Sequence, residues 1–191
     1  MSRCRREHEF YHHYDSHCIC DVVKEIVKAQ KEIEEDYGSG DCYSSIQQLR
    51  GAAHGPRNTT IPFLLYNQGS DKPFKGAGVF RAPMSKRKDH FFGSVESPIF
   101  RARKFSDKCC VNLELLLPVT EKCNVLMPDK HHSDNISSYF PTDDRVIDFQ
   151  ATGICITVDL ENFTGITCLD PVTPIPADET PESRYSSDKH Y

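Results

Sequence analysis

The chain has 191 residues, 38% of them hydrophobic and 27% charged, with no tryptophan. That suits one modest globular domain and excludes collagen, a coiled coil and, since no apolar run approaches ~18 residues, a bilayer-spanning helix. Lys and Arg number 23 against 28 Asp and Glu, a net charge of −5, so neither a broad nucleic-acid surface nor a membrane is an expected partner.

Nine cysteines are many for a cytosolic chain, and the number is odd. At least one thiol therefore stays free, binds metal or pairs with another molecule. The opening MSRCRREHEFYHHYDSHCIC lacks the apolar core of a Sec signal, which predicts synthesis in a reducing cytoplasm, with oxidation of the cysteines at a later stage.

Residues 1–17 carry four histidines and no apolar period, and read as a flexible arm. From Asp21 to Tyr37, Val22, Val23, Ile26, Val27, Ala29 and Ile33 recur at helical spacing, while Lys24, Glu25, Lys28, Lys31 and Glu32 fill the other face. This predicts an amphipathic helix over 21–37, with Asp21 as its cap. Beyond Gly40 come short β-branched and aromatic runs between Gly, Pro and Asn clusters. They predict strands near Ile61–Tyr66, Gly76–Phe80, Pro98–Phe105, Cys109–Val119, Val146–Ala151, Ile154–Leu160 and Phe163–Leu169. Arg81–Ser97, with the basic run Lys86-Arg87-Lys88, and Glu121–Arg145, with His131 and His132, read as long surface loops. From Pro171 the acidic, proline-rich tail is expected to be disordered. The fold class is thus mainly β, a β-sandwich-like or barrel-like sheet of short strands with one N-terminal helix, α+β overall, in a single domain over 18–170.

Alternation along strands sorts the cysteines. Ile154, Ile156, Val158 and Leu160 share one face, so Cys155 points outward with Thr157 and Asp159. Cys109 aligns with Val111, Leu113, Leu115 and Leu117 and is expected in the core, whereas Cys110 aligns with Asn112 and Glu114 at the surface. The doublet implies two separate fates. Cys168 shares a face with Ile166 and is expected to be buried. Cys4, Cys18, Cys20, Cys42 and Cys123 lie in the arm, beside the helix or in loops. With Cys155 and Cys110, they make up the candidates for cross-linking.

Catalytic motifs are absent. No nucleophile elbow, papain-type cysteine segment, Cys-x-x-Cys motif or phosphate loop occurs, and Asp143-Asp144 after Pro141-Thr142 reads as a turn. No enzyme activity and no cofactor are expected. One competing reading is a zinc-binding interaction module using His12, His17, Cys18 and Cys20, but no second Cys/His pair follows at finger spacing.

Several segments together resemble the spore coat protein Y and Z family, which includes basal-layer proteins of the exosporium. The likeness is carried by Thr152-Gly-Ile-Cys-Ile-Thr-Val-Asp-Leu160 with Phe163, Ile166, Cys168 and Leu169, and by Ser97-Pro-Ile-Phe-Arg101 leading into Cys109-Cys110. Further landmarks are Pro62-Phe63 with Tyr66, Pro141-Thr-Asp-Asp144, Cys18 and Cys20 before Asp21-Val-Val-Lys24, and Gly38-Ser-Gly40 before Cys42. The resemblance implies a structural protein of the spore coat or exosporium surface layer. Such a protein would be made in the mother-cell cytoplasm, self-assemble into a two-dimensional lattice with itself and other coat proteins, and be cross-linked by intersubunit disulfides. It carries over Cys155, Cys168, Cys18, Cys20, Cys42 and one member of the Cys109–Cys110 doublet as family cysteines. The chain departs from the pattern at Asn162-Phe163-Thr164, where the familiar family members have cysteines, and adds the basic loop, the histidine arm and the proline-rich tail.

Overall fold

The computed structural model describes residues 18–38, 58–83, 90–106, 108–127 and 135–186. The histidine arm, Cys4, Cys42, the basic run 86–88, and His131 and His132 lie outside the described residues. The fold is mainly β: the described residues form seven strands in two antiparallel sheets, with one long helix near the N-terminus.

Helix α1 spans Cys18–Gly38. It begins before the expected Asp21, so Asp21 does not cap it but sits in the first turn, where a carboxylate still complements the helix dipole. Cys20, Val23, Ile26, Val27 and Gln30 form the buried stripe. Gln30 is polar but satisfied: its amide donates to the Ala102 carbonyl at 2.7 Å and accepts from the Ile61 N–H at 3.2 Å. That single side chain ties the helix to two segments of the β structure, since a buried amide without partners would be costly.

The strands are β1 Phe63–Asn67, β2 Gly76–Pro83, β3 His90–Ser97, β4 Ile99–Phe105, β5 Cys110–Thr120, β6 Val146–Asp159 and β7 Phe163–Cys168. The main sheet has the order β6-β5-β4-β1-β7, and β2 and β3 form a separate hairpin. β6 and β7 are the outermost strands, yet only the short 3-10 turn Leu160–Asn162 joins them. A flat five-stranded sheet would hold its edges about 19 Å apart, whereas the four residue steps from Asp159 to Phe163 reach at most about 14 Å. The sheet must therefore curl toward a half-closed barrel.

One face of the curl is filled by Phe63, Leu65, Phe100, Ala102, Val111, Leu113, Leu115 and Leu117, with Leu160 and Phe163 flanking the closing turn. The helix stripe and Val95 of the hairpin cover it. A second cluster, Ile99, Leu116, Tyr139, Phe149 and Ala151, lies on the other face. It covers only part of that face, and further along the β5–β6 pair the outer side carries Asn112, Glu114, Cys155 and Thr157 instead.

Three sequence expectations need correction. The segment Arg81–Ser97, read as a loop, contains the second half of β2 and all of β3. At Gly93 the Phe80 ring, its cross-strand neighbour, occupies the space a side chain there would need. The strands expected at 146–151 and 154–160 are one continuous β6, with an irregularity at Thr152-Gly153 rather than a break. The tail expected to be disordered from Pro171 instead pairs with the domain through Ile175 and continues to a short helix that ends at Ser186. Val172 exchanges backbone bonds with Thr60, and Ile175, fully buried, bonds to both Phe149 and Ala151 along the outer edge of β6. A short helix α2, Pro181–Ser186, follows. Its Arg184 donates to the Thr173 carbonyl at 2.7 Å and lies 3.5 Å from the Asp148 carboxylate. One buried isoleucine and a run of backbone bonds order this stretch, which composition alone cannot reveal.

Candidate functional site

The chemistry-bearing groups of the described residues are the cysteines, and the sheet distributes them. Cys20, in the first turn of α1, is 5% exposed and bonded to Cys109, with their Cα atoms 5.4 Å apart. This corrects two expectations. Cys20 is not an exposed candidate for intersubunit bonds, and Cys109 is not a free core thiol. Cys109 sits just before β5 in a turn where Lys108 and Cys109 both have φ of 61°. This turn aims its sulfur at the helix. The bond spans 89 residues of sequence, and restricting so long a loop in the unfolded chain contributes about 4–5 kcal/mol in the chain-entropy account.

Cys110, Cys123, Cys155 and Cys168 are free. Cys110 and Cys123 are half-buried, while Cys155 and Cys168 are exposed. For Cys168 this reverses the expectation. It does point to the same face as the buried Phe63, its register partner, but it ends the outermost strand, which has a neighbour on one side only. Cys155 takes the outward orientation that alternation predicts: Ile154, Ile156 and Val158 pack on the first core cluster, and Cys155 stands on the other face.

The Thr-Gly before Cys155 has a structural role. Between the pairs Leu116↔Ala151 and Glu114↔Cys155, β6 has three residues where β5 has one. The resulting bulge is held by side chains: Thr152 donates to the Leu115 carbonyl at 2.8 Å and accepts from the Ile154 N–H at 3.1 Å. Gly153 takes a φ of +70°, natural for glycine. Its N–H donates to Glu114 at 2.9 Å. The other oxygen of Glu114 receives Arg101 through two nitrogens, at 2.8 and 2.7 Å, and lies 3.6 Å from Arg103. Two extra residues preserve the alternation, so Cys155 stays on the outer face opposite Glu114.

This surrounding tunes the thiol. Partial burial pushes the Cys155 pKa up, and the Glu114 carboxylate adds to the rise, while Arg103 and Arg101 act against it. Burial alone pushes Cys168 up. Both thiols are therefore mostly protonated near neutral pH and react slowly until the pH rises.

Among the described residues, Cys110, Cys155 and Cys168 are poorly placed to pair with one another. Cys110 and Cys155 share the outer face, but Cys110 pairs with Asp159 and Cys155 with Glu114. Four residues of offset put them about 14 Å apart, far beyond the span of a disulfide. Cys155 and Cys168 point to opposite faces of the sheet.

Of the other candidates, Cys4 and Cys42 and the side chain of Cys18 lie outside the described residues, as do His12 and His17. Cys20, one of the four conceivable zinc ligands, has no thiolate to offer while bonded to Cys109. Among the described residues, no group of three or more His, Cys, Asp or Glu could hold a metal ion, and no helix is long and apolar enough to cross a membrane.

Comparison with known proteins agrees with the resemblance read from the motifs. A curated relative, spore coat protein Z of Bacillus subtilis (strain 168), is 27% identical over 156 residues, covering 82% of this chain and 90% of the relative. No solved structure matches the chain. The family model for spore coat protein Z matches residues 4–171, most of the chain and all of the curled sheet. The chain therefore belongs to the spore coat protein Z family, with a structural role in the spore coat.

Proposed function

We propose that the chain is a self-assembling subunit of the spore coat, joined to other copies of itself and to neighbouring coat proteins by intersubunit disulfides. One observation carries this reading. The exposed free thiols Cys155 and Cys168 stand on the two outermost strands of the sheet, on opposite faces, where neither can reach the other. A subunit with thiols on two edges can bond to two neighbours, and two neighbours per subunit are the minimum for an extended array.

Noncovalent contacts set the arrangement first, because a disulfide needs Cα atoms about 4.4–6.8 Å apart and so selects only neighbours already in place. Each bond then slows subunit loss under heat or protease. Oxidation after assembly fits a chain made in a reducing cytoplasm. No catalytic turnover is required.

Electron microscopy of purified protein with and without reductant, together with nonreducing gels after mild oxidation, tests the reading. High-mass species that separate only on reduction and denaturation are expected. The double variant Cys155→Ser/Cys168→Ser should lose most of the ladder while keeping the Cys20–Cys109 bond. A ladder unchanged in the double variant would move the cross-links elsewhere, and an unchanged monomer band in the wild-type protein would end the covalent reading.

A further inference from the structure

We infer that the Cys20–Cys109 disulfide is itself an exchange site, attacked at Cys109 by a thiolate of a second copy, so that an internal bond is converted into one between subunits. The inference rests on the cross-linking reading for the source of the thiolate, and on the geometry below for the site.

The bond is not sealed in the core. Cys20 and Cys109 both line a hollow of about 830 Å³ between α1 and the start of β5. Of the two sulfur-bearing residues, Cys109 is the half-exposed one and Cys20 the buried one. Attack is therefore assigned to Cys109, the more exposed residue, and the leaving role to the buried Cys20. The leaving position is also suited to its task. Cys20 lies in the first turn of α1, where the unpaired N–H groups and the dipole favour a sulfur anion. Four lysines and four carboxylates line the hollow, so they add no net charge that would repel an anion. The turn carrying Cys109 places two successive non-glycine residues, Lys108 and Cys109, at φ of 61°. That conformation carries a backbone cost at the residue under attack.

The step balances without an external oxidant. The thiolate sulfur bonds to Sγ of Cys109 as the Cys20–Cys109 bond breaks. The electron pair departs on Sγ of Cys20, which then takes a proton from water. One disulfide and one thiol are consumed, and one disulfide and one thiol result. The intrachain bond thus supplies the oxidising equivalent for one cross-link.

The test uses the full chain with Cys110→Ser, which removes the ambiguity of the doublet, and unsubstituted protein with fragment-ion assignment as a second arm. Oxidised protein is treated anaerobically with reduced glutathione, quenched in acid, alkylated and mapped by peptide mass spectrometry. Expected is glutathione on Cys109 with alkylated Cys20, at least about tenfold over the reverse arrangement. Glutathione mainly on Cys20, or a bond that resists until denaturant is added, would overturn the exchange site. A parallel incubation without glutathione, at high protein concentration and without oxygen, should give interchain bridges containing Cys109, and these should be lost in Cys20→Ser. Bridges that omit Cys109 would overturn this inference while leaving the cross-linking reading intact. Absence of any interchain bridge, even in air, would remove the second copy as attacker and the cross-linking reading with it.

Discussion

Glu114 and Cys155 face one another across β5 and β6, and the same carboxylate that opposes the thiol also accepts from Gly153 two residues earlier on the thiol's own strand. Glu114 is 4% exposed, so its charge is tolerated because Arg101 and Arg103 meet it and the Gly153 N–H satisfies it. The bulge, the ion pair and the thiol are one unit. The chain segment Thr152-Gly-Ile-Cys155 fixes where the sulfur stands, and Glu114 raises its pKa.

Replacing Glu114 by Gln tests this coupling. Loss of the carboxylate removes one of the two causes that raise the Cys155 pKa and leaves the opposing arginines, so the thiol should titrate at lower pH and alkylate faster near neutrality. Burial, the larger cause, persists, so the shift is partial. Weakening a charge-assisted bond to Arg101 should also cost about 1–3 kcal/mol of stability. Iodoacetamide labelling of Cys155 across pH, beside a urea melt, reads both effects, and an unmoved labelling midpoint would show that burial alone sets the thiol.

Intersubunit bonding through Cys155 and Cys168 should accelerate with pH. Both pKa values are raised above the ordinary thiol value, so the thiolate fraction is small at neutral pH and grows about tenfold per pH unit until the pKa is passed. The rate of ladder formation on nonreducing gels between mildly acidic and mildly alkaline pH measures this. A flat profile would exclude these thiols as the attacking groups.

Cys20→Ser and Cys109→Ser should each lower stability by about 4–5 kcal/mol relative to oxidised protein, since either change opens the same 89-residue loop. The two variants should match each other and also match wild-type protein unfolded in reductant. Urea denaturation with and without reductant provides the comparison. A clear difference between the two variants would show that one of the sulfurs also matters for local packing.

Ile175→Ala should destabilise the domain by about 2–5 kcal/mol, the range for deleting a buried isoleucine side chain. Ile175 is fully buried and its backbone covers part of the outer edge of β6. Truncation after Pro171 should go further, because it exposes that edge to unintended pairing. Thermal unfolding and light scattering of the two variants test the point. A truncated chain as stable and as soluble as the full one would mean the tail only rests on the sheet.

Much of the architecture is legible in the residues because it follows from local periods. The stripe Val23, Ile26 and Val27 determines α1, and the alternation Ile154, Ile156, Val158 determines both a strand and the outward direction of Cys155. What local reading misses depends on the partner. His90–Ser97 contains a glycine and few regular apolar repeats, and becomes a strand because Phe80 needs the space over Gly93. Thr152-Gly153 looks like a stop between two strands, and becomes a bulge because Glu114 is there to accept a backbone N–H.

The cysteines divide along the same line. Composition determines that the thiols are many and odd in number, while the motif order points to the family, because each of these is a property of the chain read residue by residue. Only the tertiary structure decides that Cys20 meets Cys109 across 89 residues, that Cys168 is exposed at the end of an outermost strand, and that Cys155 sits opposite a buried carboxylate. Pairing and exposure depend on which distant segments the curled sheet brings together or leaves uncovered, and no period of two or 3.6 residues encodes that.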